Sequence, residues 1–329
     1  MVHCLIIGAA GMLGDGLAKR LIREGKVGTR KIAKLSLFDI IEPKKLEGGD
    51  VEIATGATDI ADPAAAVALI EARPDVIFHL AAIVSGEAER DFDKGYSINL
   101  DGTRYLFEAV RAAHEKDGYF PRIVFTSSLA VFGSPLPEVI SDDFIITPRS
   151  SYGTQKAIGE LLLADYSRKG FFDGIGIRLP TICIRPGKPN AAASGFFSSI
   201  LREPLAGQAA VLPVDTSVRH WFASPRAAIG FMVHAAMVDT SLIGERRNMT
   251  MPGVSATVSD EIEALRKIAG DEAVALINHQ PDPAIEAIIS TWPQAFDAKR
   301  ALDLGFEADS SFEAIIEAYL EDYAPKIGG

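Results

Sequence analysis

Tyr152-Gly-Thr-Gln-Lys156 sets a phenol and an ammonium four residues apart, on one face of a helix. A phenol that titrates near pH ~10 is a poor base in neutral water. A lysine beside it favours the phenolate, and a cationic ring nearby adds to that effect. A tyrosinate held this way can take the proton from an alcohol while hydride leaves the same carbon. The Y-x-x-x-K spacing alone recurs by chance on surface helices, so its meaning comes from what precedes it. Ser127 and Ser128 close the apolar run from Arg122 to Phe125. A hydroxyl at the carboxyl end of a sheet strand stands where ligands gather, and it can donate to an oxygen passing between alcohol and carbonyl. Serines also cap turns and helices. Their order before Tyr152 favours the catalytic reading, with Ser128 as the hydroxyl donor and Ser127 as its substrate-contacting neighbour.

A second constellation lies upstream. Gly8-Ala-Ala-Gly11-Met12-Leu13-Gly14 separates the strand-like run His3 to Ile7 from a helical pattern over Asp15 to Glu24. The first glycine permits a tight turn, the second admits a pyrophosphate close to the backbone, and the third lets the helix pack closely. The helix N-terminus offers free N–H groups and a positive dipole end. The bland alternative is a glycine-rich turn of an unrelated α/β protein. Asp39 ends the next strand, where a carboxylate accepts from both ribose hydroxyls and repels a 2′-phosphate. No arginine follows it directly, and the nearest basic residues are Lys44 and Lys45. NAD is therefore expected rather than NADP. Asp59 is placed to accept from the adenine amino group, with Ile60 against the ring. Small residues in Leu80-Ala81-Ala82 let backbone approach a ribose or nicotinamide. His79, on the same apolar run, reads as a structural histidine. Lys156 then has a second task, a hydrogen bond to the nicotinamide ribose. Asn99 is expected to hold a water linking Lys156 to solvent, or else simply to tolerate a helical position.

These groups need a scaffold. Short β-rich runs over His3 to Ile7, Lys34 to Phe38, Val51 to Ala54, Val76 to Leu80, Arg122 to Phe125 and Gly174 to Leu179 alternate with helical patterns. The helices are expected over Asp15 to Glu24, Pro63 to Ala72, Gly95 to Lys116 and Ser151 to Lys169. This alternation predicts an α/β fold, a Rossmann-type doubly wound parallel sheet with helices on both faces. The NAD-binding domain, with the Ser/Tyr/Lys set, is expected over residues 1–180. Beyond Pro180 the rhythm changes. Proline and glycine punctuate Arg185 to Pro213, which predicts loops and short elements. Helices are expected over Arg226 to Asp239, Thr257 to Ala269 and Asp309 to Glu321. Residues 181–329 are read as a smaller mixed substrate-binding region, with some segments returning to the first domain. The Gly328-Gly329 tail is expected to fray.

Composition narrows the classes. The 329 residues are 48% apolar and 23% charged, as in a soluble globular protein long enough for a large α/β domain and a smaller one. A net charge of −11 argues against nucleic-acid binding and against an anionic membrane surface. No run of apolar residues is long enough to span a bilayer. Cys4 and Cys183 sit in apolar runs and read as small hydrophobes in a reducing, cytoplasmic compartment. The N-terminus runs directly into a strand with no basic leader, so no signal peptide is expected. No metal site is expected.

Taken together, the motifs resemble the extended short-chain dehydrogenase/reductase family, which includes nucleotide-sugar epimerases and dehydratases. The matching pieces run in family order through the first 180 residues: Gly8 to Gly14, Asp39, Asp59-Ile60, His79 to Ala82, Asn99, Thr126-Ser127-Ser128, Tyr152 to Lys156 and Arg178-Leu179-Pro180-Thr181. The resemblance implies that Tyr152 is the acid/base, Lys156 its partner and Ser128 the hydroxyl donor. It implies that Leu179, Thr181 and Ile182 line the nicotinamide side. Later the chain departs from the sugar-nucleotide enzymes. Where many carry Arg-x-Phe-Asn-x-x-Gly-Pro, this chain has Arg178-Leu-Pro-Thr-Ile-Cys-Ile-Arg185-Pro186-Gly187, without the asparagine. The segment Val218 to Ala228 is similar to a subgroup that oxidises the hydroxyl beside the carboxylate of a four-carbon sugar acid.

The expected step is therefore alcohol oxidation. Ser128 and Tyr152 hold the C2 oxygen, tyrosinate removes its proton, and hydride passes to nicotinamide. Orientation and general base catalysis supply the rate. A substrate carboxylate calls for an arginine fork. Arg185 and Arg219 are the candidates, His220 a polar wall and Ser85 a further hydroxyl contact. Trp221 and Phe222 form an apolar wall or fill the smaller region's core, and the core is preferred for Phe222. A nucleotide-sugar epimerase would use the same triad with retained NAD. A dehydratase fits less well, because Leu129, not an acidic residue, follows Ser128. An NAD-sensing binding protein would not need both Tyr152 and Lys156. The helices Gly95 to Lys116 and Ser151 to Lys169 suggest a homodimer seam.

Overall fold

Val2–Ile7 forms the central strand, β1, because Cys4 to Ile7 are apolar and buried on both faces, as a parallel strand covered by helices requires. The computed structural model describes residues 1–187 and 194–323, so the Gly328-Gly329 tail lies outside it. The strands that follow are β2 (Lys26–Val27), β3 (Arg30–Asp39), β4 (Glu52–Ala57), β5 (Val76–His79), β6 (Arg122–Ser128) and β7 (Asp173–Leu179). With the short strand Asn248–Thr250 they make an eight-stranded sheet. β1 pairs in parallel with β3 on one side and β5 on the other, and β4 and β6 extend the parallel array outward. Strand order thus reverses at β1. In doubly wound sheets the carboxyl ends flanking such a switch point bind the ligand. The fold is the Rossmann-type α/β sheet that the alternating pattern predicts.

The second strand begins earlier than its apolar run suggests. Lys26–Val27 folds back on Arg30 and Lys31 as an antiparallel hairpin, with Gly28 at a φ of 60°. The helix expected over Gly95 to Lys116 is not continuous. Short helices Ser85–Arg90 and Phe92–Gly95 lead into a π-helical turn, Tyr96–Asp101, and only then into the helix Gly102–Asp117. π-turns often mark functional sites, and this one carries Asn99. At its end Gly102 meets Ile60 so closely that a Cβ would lie 2.9 Å from Ile60 Cγ2.

The chain divides into two compact units. The first comprises Met1–Val131, Pro148–Arg178 and Ile229–Met249. The second comprises Phe132–Thr147, Leu179–Ala228 and the described chain from Thr250 onward. At the second unit's centre, Arg219–Ala223 pairs antiparallel with Val254–Thr257 and parallel with Thr181–Ile182. Ala210–Leu212 pairs with Ile277–His279. The core of this unit joins Phe197, Ile200, Leu201, Phe222, Leu265 and Ile315, so Phe222 fills it as expected. Within the segment read as loops, Gly195–Leu205 is an eleven-residue helix. Its apolar residues Phe196, Phe197, Ile200 and Leu201 are buried, and its proline falls in the last turn. The helix begun at Val258 carries a capping box between Thr257 and Asp260 and runs to Val274, broken at Gly270 where φ is 80°.

Candidate active site

The helix Ser151–Arg168 carries Tyr152 and Lys156 and starts where Ser150 Oγ accepts from Gly153 N. Two glycines set its depth. A Cβ on Gly153 would lie 2.1 Å from Ala130 O, and one on Gly159 would lie 2.8 Å from Phe125 Cζ. No larger residue fits without backbone movement at the first position, so the helix is seated directly on β6 and on the turn Leu129–Val131 that follows Ser128. Lys156 Nζ donates to Thr126 O at 2.9 Å, lies 5.0 Å from the Phe125 ring centre and 5.8 Å from that of Tyr152. Burial pulls its ammonium down to about 8, and the carboxylate of Glu160 opposes that fall. Ser128 is half-buried, and its Oγ accepts from Ala130 N at 3.1 Å, leaving its hydroxyl proton for another partner. The three groups therefore stand on two elements in direct contact, at the carboxyl end of a central strand.

The glycine loop has the form of a phosphate cradle. Gly8 has a φ of 98°, and a Cβ there would lie 2.7 Å from Ala81 N. A Cβ on Gly14 would lie 2.1 Å from Gly8 O, so the helix Met12–Glu24 starts as close to the turn as backbone allows. Its N-cap is Gly11, with no side chain covering the free N–H groups. Asp39 braces the loop: Oδ2 accepts from Ala10 N at 2.9 Å and Oδ1 from Ile40 N at 2.7 Å. Each carboxylate oxygen keeps a lone pair for a ribose hydroxyl. Leu80 and Ala81 donate their N–H groups to Ile7 O, which brings the Leu80 to Ala82 backbone alongside the loop. An uncapped helix start, a cradle that a Cβ would fill and an acidic strand end are the features that a dinucleotide requires.

A family profile described as the NAD dependent epimerase/dehydratase family matches residues 4–236. The chain belongs to that family. Within it, D-erythronate dehydrogenase of Cupriavidus necator is 47% identical over 325 residues, covering 98% of each chain. The D-erythronate dehydrogenase of Haemophilus influenzae is 43% identical, over 96% of this chain and 98% of its own. A solved structure described as a nucleoside-diphosphate-sugar epimerase from Agrobacterium tumefaciens is 63% identical, with a TM-score of 0.96, over 98% of this chain and 94% of that one. A holo GalE-like L-threonine dehydrogenase from Cupriavidus necator shares the fold, with a TM-score of 0.82 at 21% identity.

Ser127 does not offer its hydroxyl to a ligand. It is buried and donates to Glu160 Oε1 at 2.5 Å, because neighbours on a strand face opposite sides of the sheet. Asn99 is 1% exposed with its amide fully engaged. Oδ1 accepts from Ile83 N, and Nδ2 donates to Ile83 O and to Gln155 Oε1. Its side chain thereby ties the π-helical turn to the segment after β5. Ile60 is taken up by the core beside Gly102, so the exposed member of the pair is Asp59, whose Oδ1 accepts from Ala61 N. His79 is structural: Thr103 Oγ1 donates to Asn99 O and accepts from His79 Nε2, and burial drives the ring's pKa down to about 3.

His220 is a structural histidine too, buried rather than presented as a polar wall. Its Nδ1 donates to Pro293 O at 2.8 Å, its Nε2 accepts from the Thr181 hydroxyl at 2.6 Å, and the ring stacks on Phe197. Burial lowers its pKa to about 4, keeping it neutral. Trp221 is also buried and donates to Met251 O. Leu179, Thr181, Ile182, Arg185 and Arg219 all belong to the second unit. Arg219 is held loosely, 3.4 Å from Ser255 O and Oγ and 4.0 Å from Asp260. Arg185 Nε donates to Ile182 O at 3.1 Å. Met12 and Leu13 open the first helix, and Ser85, half-buried, opens the short helix after β5. Sequence reading missed Glu160 and Gln155. Glu160 had a signal, since it repeats the helical face of Lys156 one turn later.

Proposed function

We propose that this NAD-dependent dehydrogenase oxidises the C2 hydroxyl of a small sugar acid, D-erythronate foremost, to the 2-oxo acid. The activity for which two relatives above 40% identity across nearly the whole chain are named supports that substrate. The observation that carries the chemistry is the seating of Lys156 between Thr126 O and the Tyr152 ring, on the strand that ends in Ser128. In this reading Tyr152 takes the hydroxyl proton, and Lys156 stabilises the phenolate and reaches the ribose. Ser128 donates to the substrate oxygen. Gly8, Gly11, Met12, Leu13 and Gly14 hold the pyrophosphate, Asp39 the adenosine ribose, and Leu80, Ala81 and Ala82 the ribose side of the nicotinamide. Bound NAD supplies the hydride acceptor. Ser85 is proposed as a hydroxyl contact, and Leu179, Thr181 and Ile182 as the nicotinamide wall. The loosely tethered Arg219, with Arg185 as its alternative, is proposed to anchor the carboxylate.

A nucleotide-sugar epimerase with retained NAD is the second reading, favoured by the description of the Agrobacterium tumefaciens relative as a nucleoside-diphosphate-sugar epimerase. One assay separates them. Purified protein is given NAD with D-erythronate, and separately a UDP-sugar with no added cofactor. Net NADH in the first arm supports the dehydrogenase. Interconverted UDP-sugar without net NADH supports the epimerase. We further propose a cytoplasmic homodimer. Two buried free thiols and a 63% exposed Leu161 on the helix Ser151–Arg168 support this, and light scattering tests the subunit number.

A further inference from the structure

We propose that Glu160 is a positioning residue for the reaction: its buried carboxylate ties the strand ending in Ser128 to the helix bearing Tyr152 and Lys156, and presents a fixed negative charge to that lysine. This rests on the dehydrogenase reading above.

Glu160 is 2% exposed, one helical turn beyond Lys156. Its Oε1 accepts from Ser127 Oγ at 2.5 Å and from Arg178 Nε at 2.9 Å. Its Oε2 accepts from Arg178 Nη2 at 2.7 Å. Its backbone carbonyl accepts from Asn248 Nδ2 at 2.9 Å. One residue thus joins β6, β7, the strand Asn248–Thr250 and the catalytic helix. A buried ion pair is a weak source of stability, because desolvating both charges offsets much of their attraction. Placement beside the site gives this one a use. Ser127 immediately precedes Ser128, so the Glu160–Ser127 bond fixes the strand end that aims the catalytic hydroxyl.

The second use is electrostatic. Lys156 is buried, and burial alone disfavours its ammonium. Tyr152 faces it from its own helix, and His79 faces it from β5, already neutral through burial. From β6 it meets the Thr126 carbonyl and the Phe125 ring, neither of which carries a charge. Arg178, on β7, stands beyond Glu160 and is paired to it. Glu160 is therefore the carboxylate that opposes the loss of charge at Lys156. Without it, Lys156 surrenders its proton at lower pH, and the activity that needs the ammonium is lost earlier as pH rises.

The test is the pH profile of kcat for NADH formation in Glu160→Gln, which keeps the shape and the Ser127 acceptor but removes the charge. The expected result is that the limb on which activity falls with rising pH moves about one pH unit lower, with kcat near neutrality reduced about tenfold or more. Ser127→Ala keeps the charge and should lower kcat without moving that limb. Glu160→Gln removes the carboxylate that pairs with half-buried Arg178. If that variant does not fold, Glu160→Gln/Arg178→Met is measured instead, with the same expected shift. A folded variant with the wild-type limb and kcat overturns the proposal. Tyr152→Phe is run alongside: if it stays active, the dehydrogenase reading has failed, whatever Glu160 does.

Discussion

Lys156 Nζ donates to the carbonyl oxygen of Thr126 at 2.9 Å, two residues before Ser128 on the same strand. That bond joins the helix of Tyr152, the proposed general base, to the strand of Ser128, the proposed hydroxyl donor, and it holds the ammonium 5.8 Å from the Tyr152 ring centre. The cost is a buried charge. Burial lowers the folded-state pKa of Lys156 to about 8 from an unfolded value of 10.5. Between those values the unfolded chain binds more protons, so this residue's contribution to stability rises with pH across that window. Below about pH 8 the penalty is complete, on the order of 3 kcal/mol.

Lys156→Met should therefore inactivate the enzyme while stabilising it. The expected gain is about 1–3 kcal/mol near pH 7 once the lost hydrogen bond to Thr126 is set against the penalty. The gain should shrink as pH approaches 10. Denaturant unfolding at the two pH values, with NADH formation in parallel, checks both parts.

Gly153→Ala should displace the catalytic helix. The new Cβ would lie 2.1 Å from Ala130 O, a backbone atom that cannot swing aside. We expect kcat to fall about tenfold or more, because misplacing a reacting group by ~1 Å costs up to about two orders of magnitude. Stability should drop by about 1–3 kcal/mol. Steady-state kinetics and thermal melts measure the two effects.

Asn99→Leu should leave Ile83 N and O without their side-chain partners and Gln155 Oε1 without a donor. Removing one partner of buried polar groups costs about 1–3 kcal/mol each. The predicted signature is lower stability and a raised KM for NAD, with the pH profile unmoved, since the side chain carries no proton in the reaction. A shifted profile would return Asn99 to a proton-relay role.

Glu261 gives a prediction in the second unit. It is completely buried, and neither carboxyl oxygen meets a protein hydrogen-bond partner among the described residues. Burial pushes its carboxyl well above the usual range, with Asp260 adding to the effect. Above the ordinary glutamate pKa of roughly 4.3, the folded protein then holds a proton that the unfolded chain has lost. Stability falls as pH rises through that window. Glu261→Met should raise the unfolding free energy by about 1–3 kcal/mol near pH 8 and by less near pH 4. Chemical denaturation at the two pH values measures the difference.

What could be read in the sequence was what depends on local pattern. β1 is legible because a short apolar run ends in a glycine turn, and the Tyr152/Lys156 pair because helical spacing fixes a shared face. Ser127 was misassigned because sequence shows two serines and not which face of the sheet each takes. The answer came from Glu160 on the packed helix, which meets Ser127 and Arg178 of β7 only in the folded chain. His220 looked like a wall of the substrate site because its partners, Pro293 and Thr181, are remote in sequence. The break at Tyr96–Asp101 was illegible because no glycine or proline lies within it, and the bond from Ile83 N to Asn99 Oδ1 joins residues that only the fold brings together.

The most direct test is the initial rate of NADH formation from D-erythronate by the wild-type protein and by Tyr152→Phe. Steady NADH production that falls by roughly 10²–10⁴-fold when the phenol oxygen is removed is the predicted result, the range expected for loss of a general base. NADH formation that survives the substitution, or a folded wild-type protein that produces none, would contradict it.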